Sequence, residues 1–254
     1  MTSYAEWYLK DTVPKLIATV NAKFEQARAA GQTYTRNSVT QQKIVECRNW
    51  KASLPLLEKN FDRVLTELDI FYVPKQIAPG PMIVFPMWDI YGAAARAQTK
   101  PFEGSIMTGS GKYMYLGLKS KEFAGPSWLG HDPATLRRII EQKRVVLVEG
   151  PFDMLANRLV APDVPTLSPL TKTLGKEHIA YLRMLGVEVI YLMFDNEKPK
   201  EGYDIGGGEI SMRVLQRDVK EMKVEILYCP SDDPSRALEF FPKALELRKQ
   251  LTTL

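Results

Sequence analysis

Apolar residues follow two textures along this chain. In the first third they recur at spacings of three and four, as at Trp7, Leu9, Val13, Leu16, Ile17, Val20 and Phe24, the period of one helix face. That spacing predicts a helix over residues 4–31, stopped at Ala30-Gly31. A second helix is expected from about Ser38 to Trp50 with Ser38 as its N-cap, and a third over Leu54–Leu68. The texture changes at Ile70. The stretch YVPKQIAPGPMIVFPMWDIYG (72–92) is rich in Pro and Gly with short apolar runs. It predicts a strand over Met82–Met87, a hairpin turn at Asp89–Gly92 and a partner strand over Ala93–Thr99. His131-Asp132-Pro133 then opens a helix that runs to Gln142.

From Lys143 the pattern alternates strand and helix. Strands are expected at Val145–Val148, Thr166–Leu170, Val187–Phe194 and Val224–Tyr228. Helices are expected at Pro151–Leu159, Gly175–Leu185 and Glu209–Glu221, with a last one from about Ser235 to Gln250 behind an Asp232-Asp233-Pro234 cap. Continuous β-branched runs such as Val145-Val146-Leu147-Val148 read as strands buried on both faces, the habit of parallel sheets. Alternating strands and helices imply right-handed crossovers. The expected fold class is therefore α/β (α+β overall). A mostly parallel sheet flanked by helices occupies 143–254, preceded by a small mixed α+β subdomain over 70–142 and a helical N-terminal region over 1–69.

Composition adds limits. An apolar fraction of 45% and a charged fraction of 25% are those of an ordinary globular protein. Cys47, Cys229, His131 and His178 stand at no zinc-ligand spacing, and two distant cysteines form no disulfide framework. The charged N-terminus lacks a signal-peptide core, and no run of about 18 apolar residues is present. An intracellular, cytoplasmic protein without a membrane span is expected. The net charge of +4 permits a nucleic-acid partner without arguing for one.

The chemistry lies in the acids. Glu149 follows the first strand of the alternating region, with Asp153 one turn into the next helix. Asp195 and Glu197 follow another strand, and Asp232 and Asp233 a third. Ligands of open α/β sheets bind at the carboxyl ends of the strands. Carboxylates gathered there cannot all stay ionised without a cation, and an all-oxygen donor set favours Mg²⁺ or Mn²⁺. Any one of these acids reads equally well as a helix cap or a solvated loop residue; the set does not. The segment GSGKYMYLG (109–117) offers glycines and Lys112 but not the spacing of a phosphate-binding P-loop. It reads as a plain turn or a phosphate contact.

Three segments, VVLVEGPFDML (145–155), LMFDNE (192–197) and CPSDDPSRALE (229–239), resemble the acidic motifs of a Toprim domain, in particular those of bacterial DnaG-type and phage primases. PTLSPLTKTLGKEHIAYLRML (165–185), MIVFPMWDIYG (82–92) and GKYMYLG (111–117) resemble the segments between and before those motifs. The likeness spans roughly residues 58–240. It implies a primase catalytic core that makes short RNA primers from NTPs on single-stranded DNA, using Mg²⁺ or Mn²⁺. Glu149, Asp195 and Glu197 would be the principal catalytic acids and metal ligands, with Asp153 and Asp233 as further ligands. Lys112, Arg96, Lys100 and Lys198 would face triphosphate or template.

Four positions depart from the pattern. Glu197 stands where the family has Asp, and Ser235 replaces the second acid of a D-P-D loop, for which Asp232 would compensate. Leu170 stands where glycine is frequent, and KPKEGYDIGG (198–207) looks like an insertion of about eight residues. Without zinc-ligand spacing, template reading would fall to a zinc-bearing partner in trans, and a replicative helicase would also act in trans. A compact phage or plasmid enzyme fits this organisation. The same acids would also serve a Toprim metal-dependent nuclease, or survive in a non-catalytic nucleic-acid-binding accessory.

Overall fold

The computed structural model describes residues 18, 19, 22, 25, 26, 29, 30, 35–75, 80–88, 94–102, 114–117, 128–196 and 206–254, with 94–96 and 114–117 described by their backbone. Most of the expected 4–31 helix and the Asp89–Gly92 turn lie outside these residues. Helix α1 runs Arg36–Arg48 and ends on Asn49 in the left-handed region. Its cap is Thr35, not Ser38: the Thr35 side chain accepts from the Ser38 amide at 3.2 Å. Both residues can cap, but only the earlier one precedes the first helical turn. A short 3₁₀ turn, Trp50–Ser53, leads into α2, Leu54–Leu68, whose bounds match the expectation. Pro55 suits its first turn.

Strands β1 (Phe71–Val73), β2 (Met82–Trp88), β3 (Ala94–Pro101) and β4 (Met114–Gly117) follow. They form an antiparallel sheet in that order, with β5 (Trp128–Leu129) paired to the end of β2. Helix α3, Pro133–Gln142, begins as expected. Asp132 caps it through the amides of Ala134 and Thr135, each at 3.0 Å.

The second sheet is wholly parallel. It comprises β6 (Arg144–Val148), β7 (Thr166–Leu167), β8 (Val189–Met193) and β9 (Lys223–Ile226), in the order β7-β6-β8-β9. Its crossovers are α4 (Pro151–Val160), α5 (Lys176–Met184) and α6 (Gly207–Asp218). The step from β6 to β7 runs opposite to the other two, so right-handed crossovers put α4 on one face and α5 with α6 on the other. Packing agrees. Val146 and Val148 of β6 join a core with α1, α2 and α4, while Val145 and Leu147 join one with α5 and α6. The two sheets meet where Leu129 and Ser168 exchange backbone hydrogen bonds of 2.9 and 3.0 Å.

The expected final helix is two pieces: one turn, α7, Pro234–Ala237, then α8, Phe241–Thr252. Pro242 is the cause. It lacks an N–H and would clash with the carbonyl four residues back, so the chain must break before it. Among the described residues no helix is long and apolar enough to cross a membrane.

Every residue of α4 is buried, Arg158 included. The Arg158 guanidinium donates to Glu67 of α2 at 2.5 Å and to Thr135, and lies 3.5 Å from Asp132. Arg138 adds a 2.9 Å bond to Glu67. Burial works to raise the Glu67 pKa. Hydrogen bonds from Arg138 and Arg63, with the charge of Arg158, outweigh it and hold Glu67 at about 2 against its ordinary 4.5. This network ties α2 and α3 to the buried helix.

Two outcomes are expected. Arg158→Met removes the buried cation between Glu67 and Asp132, leaving Glu67 with Arg138 and Arg63 and Asp132 with its cap amides, and should cost about 3 kcal/mol in urea unfolding at neutral pH. A carboxylate with a lowered folded pKa stabilises above its unfolded value and loses that contribution as pH falls. Wild-type stability should therefore decline between pH 4.5 and about 2, and Glu67→Gln should flatten that part of the profile.

Candidate metal centre

The carboxyl edge of the parallel sheet is built from three loops. After β6 the chain turns through Glu149-Gly150 into α4, and Asp153 lies in its first turn. Its Oδ2 accepts from the Gly150 amide at 3.0 Å. After β8 comes Asp195; after β9 comes the turn carrying Asp232 and Asp233. The Asn196 amide donates to the Asp232 carbonyl at 2.5 Å, which holds the second and third loops together. The result is a group of three carboxylates, Asp153, Asp195 and Asp233, with ligand oxygens all within 4.8 Å of one another.

Electrostatics makes this arrangement costly. Burial, followed by the like charges of Asp233 and Asp195, raises the Asp153 pKa well above the usual carboxylate range; the Ser235 amide and the Arg48 charge pull it the other way. The neighbouring Cys229 thiol is pushed up to about 12, chiefly by burial. A divalent cation would relieve the repulsion among the three acids. Three carboxylate donors converging at this separation suit a hard, oxygen-seeking ion such as Mg²⁺ or Mn²⁺.

No family model matches the chain, and no curated protein matches it in sequence. Solved structures do match. The RNA polymerase domain of Mycobacterium tuberculosis primase DnaG is 16% identical over 94% of this chain and 83% of that one, with a TM-score of 0.60. A DnaG primase catalytic domain bound to single-stranded DNA gives 14% identity, 95% and 82% coverage and a TM-score of 0.57. The primase fragment of the bacteriophage T7 primase-helicase protein gives 14%, 75%, 70% and 0.53. The chain has the fold of the DnaG primase RNA polymerase domain.

On this DnaG fold the expected site residues are placed as follows. Asp153, expected to be a supporting ligand, lies in the carboxylate group with Asp195 and Asp233. Glu149 sits at the same strand end outside that group of three, with Lys172 Nζ 3.5 Å from its Oε2. Asp232, expected to compensate for the second acid of the loop, is exposed, lies outside that group of three and pairs with Arg236 at 3.1 Å. Glu197, Lys112 and Lys198 lie outside the described residues. Arg96 sits on β3 between Met87 of β2 and Gly117 of β4. Lys100, two turns of the pleat further along β3, is half-buried and close enough to Cys47 of α1 for its charge to act on that thiol.

Three further residues at this edge are not among the expected site residues. Arg48 and Trp50 reach the site from the end of α1. The third is Gly208, in the first turn of α6. A Cβ there would lie 2.0 Å from the Asp195 carbonyl oxygen and 3.0 Å from its carbon. The run Gly206-Gly207-Gly208 was the available clue, since glycine at a helix start permits close backbone approach.

Gly208→Ala is therefore expected to push α6 off the Asp195 backbone. It should destabilise the protein by roughly 1–3 kcal/mol. Thermal unfolding checks the stability, and Mn²⁺ binding should weaken in the folded variant because Asp195 is displaced. An unchanged melting temperature would show that helix and loop separate without cost.

Proposed function

We propose that this chain is a primase-like nucleotidyltransferase that builds short RNA primers from NTPs on single-stranded DNA with Mg²⁺ or Mn²⁺. The observation that carries this reading is the convergence of Asp153, Asp195 and Asp233 at one sheet edge, in a chain with the fold of DnaG RNA polymerase domains. One such domain is known bound to single-stranded DNA, which supports the same partner here.

In the proposed reaction a 3′-hydroxyl attacks the α-phosphorus of an incoming NTP. A new P–O bond forms, the bond to the β-phosphate bridge breaks, and pyrophosphate leaves. Such chemistry is mainly positioning and charge neutralisation. A divalent ion bound by Asp153, Asp195 and Asp233 would neutralise triphosphate oxygens and ease ionisation of the hydroxyl. Asp195 and Asp233, less buried than Asp153, would present their oxygens outward to the nucleotide side. Glu149, beside the group and next to Lys172, is assigned the hydroxyl proton rather than a share of the metal. Glu197 would join the ligands from the following loop, while Lys112, Arg96, Lys100 and Lys198 would serve phosphate or template. A zinc-bearing partner and a helicase would act in trans.

The test is incubation with NTPs, single-stranded DNA and Mg²⁺ or Mn²⁺. New oligoribonucleotides are expected; shortened DNA or RNA would instead mark a nuclease, and tight DNA binding without either product an accessory. Asp195→Asn should reduce product by at least about a hundredfold and weaken Mn²⁺ binding. Glu149→Gln should lower kcat while leaving Mn²⁺ affinity within about twofold, as expected of a proton acceptor outside the ligand set. Loss of metal affinity in Glu149→Gln would return Glu149 to the ligands.

A further inference from the structure

Ser235 interrupts the acidic pattern, and its surroundings give that change a use. The residue is 1% exposed, and each of its polar atoms is engaged. Its amide donates to Asp153 Oδ1 at 3.3 Å. Its carbonyl accepts from Trp50 Nε1 at 2.8 Å. Its hydroxyl accepts from Arg48 Nε at 2.8 Å and Nη2 at 2.5 Å. The Arg48 guanidinium is also stacked 5.0 Å from the Phe152 ring centroid, and Phe152 meets Trp50 and Phe85 edge-on. Its position is thus fixed from two sides.

Among the described residues Arg48 makes no ion pair with a carboxylate, although its charge acts on Asp153. A guanidinium placed to neutralise the acids would fork onto one of them. Here it forks onto a neutral hydroxyl and leaves the carboxylate oxygens to another cation. An acid at position 235 would draw Arg48 into an ion pair; serine does not.

We propose that Arg48 is a positioning residue for the metal centre. By holding Ser235 it keeps the Ser235 amide on Asp153, and it keeps the 232–235 turn where Asp233 can meet Asp153 and Asp195. The end of α1 thereby sets the spacing of carboxylates that repel one another. This inference rests on reading the group as a metal site.

The test is Mn²⁺ titration followed by electron paramagnetic resonance, with thermal melts as a check on folding. Arg48→Met should bind Mn²⁺ roughly 10–100-fold more weakly than wild type, the usual loss when a residue that orients ligands is removed. Arg48→Lys, which cannot fork, should fall between the two. Ser235→Ala removes the anchor but keeps the amide and should match Arg48→Met. The double variant should be no worse than either single one, because both break the same link. In primer synthesis the apparent KM for Mg²⁺ should rise while kcat at saturating metal is largely kept. If Arg48→Met does not fold, Ser235→Ala decides alone. A folded Arg48→Met or Ser235→Ala with wild-type Mn²⁺ affinity overturns the inference while the metal reading stands; wild-type protein that binds no Mn²⁺ overturns both.

Discussion

Helix α4 has no exposed face, yet it carries Asp153, Asn157 and Arg158. Removing a charge from water is expensive unless partners replace the lost solvation. That constraint organises much of what surrounds the helix. At one end Arg158 is met by Glu67 from α2 and by Asp132 and Thr135 from the start of α3. At the other, Asp153 is met by amides from its own turn and from the turn after β9. Apolar residues alone would let α2 slide over α4. The Arg158–Glu67 pair fixes the register of α2 on α4, and Asp153 ties the other end of α4 to the turn after β9.

The two ends are solved differently. Arg158 is paired with opposite charge at Glu67 and Asp132, which makes a structural network. Asp153 is surrounded by like charge, with the Asp233 and Asp195 carboxylates beside it and burial added. A fold does not gather three acids for its own stability, since each costs more than an apolar residue of the same volume. Such a perturbed group at the carboxyl edge of a parallel sheet is where a ligand is to be sought.

Much of this was legible in the sequence, because it depends on local periodicity. The β-branched runs became the parallel strands, and Asp153, Asp195 and Asp233 came together at one edge. The resemblance to DnaG-type primases named the fold that the solved structures then matched. What was not legible depends on long-range contact. Thr35 and Ser38 are both competent caps, and the choice between them lies in where the chain enters α1. Pro242 did carry a local signal for the break between α7 and α8, but a helical pattern on both sides masked it. Nothing near Arg48 indicates that its partner is 187 residues away. The placement of Asp153 in the group of three, with Glu149 outside it, likewise follows from how the buried helix α4 packs against the sheet, which no spacing along the chain encodes.

Leu170 shows how a departure in sequence can be read physically. Its φ of 58° lies in the left-handed region, where a residue with a Cβ is held at a cost of roughly 1–2 kcal/mol. Glycine would adopt that conformation freely, so the position demands the turn whichever residue fills it. The strain is held by the turn's own bonds. Ser168 Oγ donates to the Glu149 carbonyl at 2.8 Å and accepts from the Leu170 amide at 3.1 Å. The leucine side chain packs against the larger core, which offsets part of the cost. The turn then delivers Lys172 to within 3.5 Å of the Glu149 carboxylate. Backbone strain retained beside a candidate site is informative when the surrounding bonds over-determine it. Here those bonds tie Leu170 through Ser168 to the strand end that bears Glu149, so the left-handed turn helps to set where Lys172 meets that carboxylate.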